Sequence, residues 1–403
     1  MSRLSSTPAF VGIGAVFATF FLASGAPTPL LVLRQQEWGF SAGTLTFAFS
    51  VYALALLAAL LVGGSLSDHV GRRPVLLAAL YGELASMLVF LFAPNISWVI
   101  VARVLQGIAT GVGTSAFSAA IVEHAPASLK KLAGGIAAAS VAGGLGLGAL
   151  LTGAAVQFTA GANSLVFGIL AAVMVIAIPF VGFTAETAAT RPGAIRSLTP
   201  RVTLPIHVRR EFYAGIPVQI AGWMIPAFWL GLSPTVLRLH FGLDGGLITG
   251  FTAFLGPFTS AIASFVFGRY AARQSTLVGA VLVLAGMGVV LVGVTAAWLP
   301  IVWIGAVIGG FGFGGAFGGK VRLIAPRVAA HERGGTFAAI YTVGYLSFAI
   351  PVIIAGQLAP RWGLMPTFEL YASAVIALAA AGALIQAVLA RRDIRLEPVR
   401  TDA

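Results

Sequence analysis

The sequence predicts an all-α membrane protein in which twelve transmembrane helices form two pseudo-symmetric halves of six helices each. Three observations support this prediction. Only 9% of the 403 residues are charged, 59% are hydrophobic, and apolar runs long enough to cross a bilayer recur along the chain. A soluble domain usually carries about 25% charged residues. The composition therefore excludes a cytosolic enzyme, a disordered regulator and a secreted module.

Each predicted span is an apolar run of about 20 residues or more, the length of helix that crosses the hydrocarbon core. Turn residues separate the runs, for example Ala93-Pro94-Asn95 and Leu299-Pro300. The first run is too long for the core of a signal peptide and is expected to remain as a helix. The predicted spans, numbered 1 to 12, are 9–32, 43–65, 74–93, 97–122, 133–157, 163–183, 211–236, 246–268, 275–296, 299–320, 334–358 and 366–390.

The net charge of +12 indicates either a nucleic-acid surface or an orientation in the membrane. Lys and Arg cluster in alternate loops, so 20 of the 24 lie on one side, three on the other, and Arg103 inside a span. The positive-inside rule then places both termini in the cytoplasm and argues against nucleic acid as a partner. The scarcity of Lys, with abundant Ala and Gly, suggests a bacterial inner membrane. The 20 cations are Arg3, Arg72, Arg73, Lys130, Lys131, Arg191, Arg196, Arg201, Arg209, Arg210, Arg269, Arg273, Lys320, Arg322, Arg327, Arg333, Arg391, Arg392, Arg395 and Arg400.

A polar stretch at 186–210 divides the chain. It contains five Arg residues and three Pro residues, and six predicted spans lie on each side of it. We therefore predict an N-terminal six-helix half at 1–185, a cytoplasmic basic linker at 186–210, and a C-terminal half with a cytoplasmic tail at 211–403. Paired six-helix halves are a known transporter plan, with the substrate site near the midplane between them.

The loop between spans 2 and 3 carries a motif, Gly64-Ser65-Leu66-Ser67-Asp68-His69-Val70-Gly71-Arg72-Arg73-Pro74. It resembles the G-x-L-x-D-x-x-G-R-R/K signature of the major facilitator superfamily. The resemblance implies that family's fold and a latch that holds the two halves together on the cytoplasmic side in the outward-facing state. An ordinary turn with positive-inside arginines is the alternative. The latch residues would be Gly64, Leu66, Asp68, Gly71, Arg72, Arg73 and, at the end of span 4, Glu123.

The equivalent loop of the second half reads Gly268-Arg269-Tyr270-Ala271-Ala272-Arg273 and lacks the acid. We therefore expect one strong latch and not two.

Span 4 contains Arg103-Val104-Leu105-Gln106-Gly107, which is similar to the R-x-x-Q-G pattern of proton-coupled members and drug exporters of the same family. Arg103 and Gln106 share one helix face because they are three residues apart. An arginine in hydrocarbon is costly unless it is paired or hydrated. Arg103 either interacts with an acid or substrate during proton exchange, or is a structural residue bonded to carbonyls of a neighbouring helix.

Glu83 is the only acid deep in a predicted span, near the centre of span 3. Intramembrane carboxylates often carry protons, so Glu83 and Arg103 are the predicted proton-coupling residues. Neutralisation of Arg103 is the alternative role for Glu83. Family antiporters often have a Gly-Pro pair in span 5, and here Ala149 stands at the position of the proline, which weakens the prediction of antiport.

The resemblance implies that spans 1, 4, 7 and 10 line a central path, with spans 2, 5, 8 and 11 beside them. Polar and aromatic residues in these spans are sparse, which favours an amphiphilic or lipophilic substrate, anionic if Arg103 contacts it. Helix-packing filler is the alternative role for each aromatic residue. The predicted cavity residues are Tyr52, Arg103, Gln106, Gln219, Trp223, Tyr341 and Tyr345.

These features predict a monomeric secondary transporter that exports a small amphiphilic molecule across the inner membrane, with protons and the lipid bilayer as its other partners. Uptake of a small metabolite by symport or facilitated diffusion is the alternative, and a non-transporting receptor is a lower one. An enzyme is not expected, because none of the five His lies deep in a span and no metal or nucleotide motif is present. No cofactor and no metal site are predicted.

Overall fold

The computed structural model describes residues 6–130, 132–329 and 331–396, and these residues form helices joined by short turns and loops. Arg3, Lys131 and Arg400 of the predicted cytoplasmic set lie outside the described residues. The predicted fold class is confirmed. The twelve spans are Thr7–Trp38, Ala42–Gly63, Arg72–Leu91, Ile96–His124, Ala133–Phe158, Ala162–Gly182, Ile216–His240, Gly246–Arg269, Ala272–Thr295, Leu299–Arg327, Arg333–Trp362 and Leu364–Arg392.

Three predicted boundaries differ from the structure by five residues or more. Span 1 runs to Trp38 and not to 32, because its polar last turns continue the helix up to Gly39, which adopts a left-handed φ of 67°. Span 7 begins at Ile216 and not at 211, because 206–214 form a separate helix. Span 10 runs to Arg327 and not to 320, so that Lys320 lies inside the helix.

Spans 1 and 7 are interrupted at equivalent positions in the two halves. Span 1 consists of helices Ser6–Gly25 and Pro27–Trp38. Span 7 consists of Ile216–Ala227, a π-helical turn at Phe228–Leu232, and Ser233–His240. Proline removes a backbone donor from the helix and favours such a break, and Pro27 and Pro234 each lie at the start of a second segment.

Three short helices lie outside the spans: Ser67–Val70 in the loop between spans 2 and 3, Ala194–Ser197, and Ile206–Ala214. The last two belong to the segment between spans 6 and 7. We call the face of the bundle that carries this segment and the loops 64–71, 125–132 and 325–332 the basic end. The other face is the opposite end.

The two halves contact each other most closely near the opposite end. A Cβ added at Gly250 of span 8 would lie 2.9 Å from the Cα of Gly153 in span 5, so only small residues permit this contact. Spans 2 and 11 also meet there, where the ring centroids of Phe49 and Phe348 are 5.2 Å apart. These contacts close the space between the halves at the opposite end.

Toward the basic end, side chains and no longer backbone atoms make the contact between spans 5 and 8. A Cβ at Gly143 would lie 3.6 Å from the Cβ of Ala261, and a Cβ at Gly135 would lie 3.2 Å from the ring of Phe265. A cavity of about 520 Å³ opens here between spans 1 and 5 of one half and span 8 of the other. The structure is therefore a conformer that is closed at the opposite end and open toward the basic end.

Candidate functional site

The predicted latch residues form a charged cluster at the basic end of the N-terminal half. Arg72 Nη1 donates to Asp68 Oδ1 at 2.5 Å, and Arg72 Nη2 donates to Glu123 Oε1 at 3.1 Å. Gly71 has a φ of 98°, which favours glycine. Arg73 Nη1 donates to the carbonyl of Gly182 at 3.2 Å. The loop thus ties spans 3, 4 and 6 together.

The other two latch residues have packing roles. A Cβ at Gly64 would lie 3.3 Å from Ser115 Oγ of span 4, and Leu66 packs against the apolar core of the N-terminal half. Within the described residues, all hydrogen bonds and ion pairs of Asp68, Arg72 and Arg73 are made inside the N-terminal half and the segment that follows it.

Sequence reasoning missed Glu186. Its carboxylate accepts hydrogen bonds from the backbone N–H groups of Arg72 at 2.8 Å and Arg73 at 3.0 Å, which lie at the start of span 3. A carboxylate at a helix N-terminus satisfies free N–H groups and complements the helix dipole. Thr187 also donates to Glu123 at 2.5 Å. No local motif marks Glu186, because its partners are more than 110 residues away in sequence.

Arg103 lies in the membrane with only 1% of its surface exposed. Its guanidinium donates to the carbonyls of Ser24 at 3.0 Å, Ala48 at 3.3 Å and Phe49 at 2.9 Å, and to Gln106 Oε1 at 2.9 Å. These bonds join span 4 to spans 1 and 2. The hydrogen bonds match the structural alternative for Arg103, in which backbone carbonyls of neighbouring helices bind it.

Glu83 and Arg103 are linked by Gln106 and do not form a direct ion pair. Gln106 Nε2 donates to Glu83 Oε1 at 3.1 Å, while Gln106 Oε1 accepts from Arg103. Glu83 is fully buried, and its Oε2 has no hydrogen-bond partner. Tyr52 covers the guanidinium at 4.4 Å from its ring centroid, which adds a cation–π contact. The structure thus brings the four predicted residues of the N-terminal half together.

Sequence reasoning also missed Lys320, which it placed in a loop. Lys320 lies inside span 10 with 1% of its surface exposed, and its Nζ donates to Gln219 Oε1 of span 7. Its Nζ is 4.7 Å from the ring centroid of Phe212. Gln219 Nε2 in turn donates to the carbonyl of Ile340 in span 11 at 2.5 Å. Among the described residues, Lys320 has no acidic partner. The signal was present in the sequence, since an apolar helix continues beyond position 320.

Trp223 lies one helical turn along span 7 from Gln219, and it forms a cluster with the other predicted aromatic residues of the second half. The ring centroid of Trp223 lies 4.9 Å from that of Tyr345 and 5.4 Å from that of Phe317. Tyr341 is 6.2 Å from Tyr345 and 6.3 Å from Phe317. The indole Nε1 of Trp223 is buried and has no hydrogen-bond partner. Spans 7, 10 and 11 therefore present a continuous aromatic surface, to which Phe313 also contributes.

The 520 Å³ cavity is lined by other residues than those predicted. Its lining is almost wholly apolar and includes Phe258, Ile262 and Phe265 of span 8, with Thr19 and Ser140 as its side-chain hydroxyls. Polar and aromatic residues served as the marker of a cavity in the sequence, so an apolar lining escaped detection. Tyr52, Arg103 and Gln106 instead lie buried within the N-terminal half.

The loop between spans 8 and 9 has its own ion pair, although its sequence lacks the acid. Arg273 Nη2 donates to Glu211 Oε1 at 2.7 Å, and Glu211 lies in the short helix before span 7. Arg322 donates to the carbonyls of Phe267 at 2.7 Å and Tyr270 at 2.8 Å. Each half therefore fixes the loop between its second and third spans with an ion pair, but the acids come from different positions in the two halves. In the residues that the structure describes, no group of acids or His could hold a metal ion.

Comparison with known proteins identifies relatives of this architecture. The family model described as Major Facilitator Superfamily matches residues 11–351. Multidrug resistance protein MdtL of Klebsiella pneumoniae is 24% identical over 292 residues, which cover 69% of this chain and 71% of that protein. Among solved structures, the human organic anion transporter MFSD10 (TETRAN) has a TM-score of 0.67 and 16% identity over 94% of this chain and all of that chain.

Two further relatives match shorter segments. The major facilitator superfamily multidrug transporter mfsB of Aspergillus fumigatus is 40% identical over 90 residues, which cover 21% of this chain and only 14% of that protein. The 4-hydroxybenzoate transporter PcaK of Pseudomonas putida is 30% identical over 98 residues, 24% of this chain and 22% of that protein. These two matches are therefore local.

Proposed function

This chain belongs to the Major Facilitator Superfamily, whose members are transporters and not enzymes, and we propose that it exports a small amphiphilic molecule by alternating access. The observation that carries this proposal is the cavity between the halves. Its volume of about 520 Å³ falls in the range of small-molecule sites, and its lining is apolar with two hydroxyls. The name of the Klebsiella relative, a multidrug resistance protein, supports export.

We further propose that the basic end faces the cytoplasm of a bacterial inner membrane, with both termini on that side. The concentration of Arg and Lys in the loops of this end supports the orientation. The cavity then opens inward, where an exporter collects its substrate. The matching breaks in spans 1 and 7 lie near the closed end and provide joints at which that end can open.

Because the chain contains no Cys, single cysteines report the opening directly. We expect Ser140→Cys, which lines the cavity, to react with a membrane-impermeant maleimide in everted membrane vesicles and not in right-side-out cells. Ala149→Cys, fully buried on the same helix, is the matched control and should stay unlabelled. Labelling of Ser140→Cys only from the cell exterior would contradict the proposed orientation.

Transport itself is tested in proteoliposomes with three fluorescent amphiphiles: rhodamine, neutral phenylnaphthylamine and anilinonaphthalenesulfonate. We expect at least one to move, and Gly143→Trp, which fills the cavity, to abolish the movement. Gly168→Trp is the control, because nothing lies within 4 Å of a Cβ at Gly168, outside the cavity. Absence of movement of all three probes by folded protein would contradict export of amphiphiles.

The charged cluster of Asp68, Arg72 and Glu123 is proposed to act as the latch of the outward-facing state. In the present conformer the halves are apart at the basic end, and the cluster bonds only within its own half and the following segment. This arrangement agrees with a latch that engages the second half only when the basic end closes.

Proton coupling is proposed to involve Glu83, with Arg103 as its charged neighbour. An ionised Glu83 balances the charge of Arg103 across Gln106, whereas a protonated Glu83 leaves that charge uncompensated. The unpartnered Oε2 of Glu83 supports this role, because a buried oxygen without a bond is ready to take a proton. A pH gradient should therefore drive transport by the wild type and lose its influence in Glu83→Gln.

Uptake is the second candidate, and one observation in the sequence favours it. Ala149 stands where antiporters of the family often have proline. Depletion of a probe from cells that express the protein supports export, and accumulation supports uptake.

A further inference from the structure

We propose that the cluster of Lys320, Gln219 and the aromatic side chains of spans 7, 10 and 11 binds an aromatic carboxylate, with the ring on the aromatic surface and the carboxylate on Lys320. This inference rests on the proposed function of transport and adds a binding site that is separate from the 520 Å³ cavity, whose lining contains none of these residues. It also moves the expected anion site from Arg103 in the first half to Lys320 in the second.

The ammonium group of Lys320 has few partners. It is buried, has a single amide acceptor and one aromatic ring beside it, and has no acidic partner among the described residues. Buried charges in proteins are normally paired, because removal from water is expensive. Glu211, in the short helix that leads to span 7, pairs through Oε1 with Arg273 and Arg327 at 2.7 and 3.4 Å, and its Oε2 is buried without a hydrogen-bond partner. No carboxylate of the described residues lies within ion-pair distance of Lys320, and we assign the missing anion to a ligand.

Arg103 shows by contrast what a satisfied membrane cation looks like. Four oxygens accept hydrogen bonds from its guanidinium, and three of them are backbone carbonyls that cannot move away. A carboxylate that approached Arg103 would have to displace them. Lys320 is held by one side-chain amide, which can rotate, so a carboxylate can replace that amide.

The aromatic surface is the second feature of the cluster. Trp223 is four residues from Gln219, and Phe317 is three residues from Lys320, so each ring is carried by the helical turn next to one member of the Lys320–Gln219 pair. Phe317 and Tyr341 are half-buried, so their faces are accessible for stacking.

Trp223 supplies a third and independent observation. Its indole N–H is buried without an acceptor, which is unfavourable relative to a hydrogen-bonded group. A polar substituent on the ring of the ligand can accept this hydrogen bond. A donor, a cation and a stacking surface are therefore supplied by three neighbouring helices, spans 7, 10 and 11.

Equilibrium binding to the purified full-length protein tests the proposal, with naphthoate and the isosteric, uncharged naphthamide as probes. We expect naphthoate to bind at least about tenfold more tightly, since a hydrogen bond to a charged group contributes about 1.5–3 kcal/mol. Lys320→Gln should remove this preference by weakening naphthoate alone. Equal affinities of the two probes in the wild type would overturn the proposal, and so would an unchanged preference in Lys320→Gln.

Lys130→Gln is the matched control. It makes the same chemical change at an exposed loop lysine of the same end of the bundle and should change both affinities by less than about twofold. Trp223→Leu removes part of the stacking surface and should weaken both probes by a similar factor, of about fivefold. A loss confined to naphthoate in Trp223→Leu would contradict the stacking role.

A second variant keeps the test decisive if Lys320→Gln does not fold. Gln219→Leu removes the amide that competes for Lys320 and should tighten naphthoate binding without tightening naphthamide binding. Weaker or unchanged naphthoate binding in the folded variant would overturn the proposal. The outcome is distinct from that of the transport assay. Movement of rhodamine without naphthoate binding leaves export standing and refutes this site. Naphthoate binding without movement of any fluorescent probe supports this site and contradicts export of amphiphiles.

Discussion

Arg103 in the first half and Lys320 in the second are the two most deeply buried cations of the described residues, each with 1% of its surface exposed, and their surroundings differ. Arg103 in the first half donates to three carbonyls and to Gln106, and Gln106 in turn donates to the carboxylate of Glu83. Lys320 in the second half has a single amide acceptor. The number and rigidity of the acceptors, more than the charge itself, separate a cation that holds helices together from one that is available to a ligand.

The largest effect is expected from removal of the first cation. Arg103→Ala would leave three buried carbonyls and the Gln106 side-chain oxygen without their donor. Disruption of a buried charge network of this kind lowers the free energy of unfolding by about 3–5 kcal/mol. We expect a large fall in thermal stability in detergent, together with loss of transport. A variant that keeps its stability and loses transport would instead favour the interpretation in which Arg103 interacts with an acid or with substrate during proton exchange.

Lys320→Met provides the other side of this comparison. It removes one hydrogen bond and one cation–π contact, each of which contributes about 1 kcal/mol, and it also removes the cost of burying a charge. We therefore expect a change in stability below about 1 kcal/mol. Thermal unfolding measured beside Arg103→Ala checks the difference. Equal destabilisation by the two substitutions would show that both cations are structural.

After Arg103→Ala, the next largest effect on stability is expected at the aromatic surface of spans 7, 10 and 11. A Cβ added at Gly344 in span 11 would lie 2.5 Å from the Cε2 atom of Trp223, so Gly344→Ala must displace the indole. Overpacking of this kind typically costs about 1–3 kcal/mol. We expect reduced naphthoate binding with retained fold. Gly334→Ala, at a position with open space in the same helix, is the control and should bind as the wild type does.

Glu83 is expected to show a smaller effect on stability. Glu83→Gln keeps an oxygen that accepts from Gln106, whereas Glu83→Leu leaves the Gln106 amide unsatisfied, at a cost of about 1–3 kcal/mol. The two variants should therefore differ in melting temperature, with Glu83→Gln the more stable. Both should transport at a rate that no longer changes with the pH gradient, measured in proteoliposomes. A retained response in Glu83→Gln would remove Glu83 as the proton carrier.

The same contrast explains what the sequence could predict. Apolar length and alternating charge are properties of contiguous residues, so the twelve spans follow from the sequence, nine of them to within four residues at both ends. The contacts of Arg72 with Asp68 follow from a contiguous motif as well. The partners of Glu186, Glu211 and Lys320 could not be assigned, because they come from distant segments that only folding brings together.

The cavity illustrates a second limit. Sequence reasoning looks for polar residues inside apolar helices, since these are costly and therefore informative. A cavity with an apolar lining differs from a packed interface only in the distance between helices. The opening between spans 1, 5 and 8 near Gly143 depends on the conformer and leaves no mark in composition.

The smallest effect on stability is expected at the charged cluster of the basic end, which provides a third cation for the comparison. Arg72 resembles Arg103 in having several acceptors, but its partner Asp68 is 54% exposed, and an exposed ion pair contributes less than about 1 kcal/mol. Asp68→Asn should therefore leave the melting temperature nearly unchanged.

If the cluster is a latch for the outward-facing state, the same variant should slow transport and increase labelling of Ser140→Cys, because the conformer open at the basic end gains population. Glu37→Gln, which removes the exposed partner of Arg34 at the opposite end, should change neither quantity. Unaltered transport and labelling in Asp68→Asn would reduce the motif to a turn that fixes spans 3 and 4, and the distinction between structural and functional cations would then lie within the membrane alone.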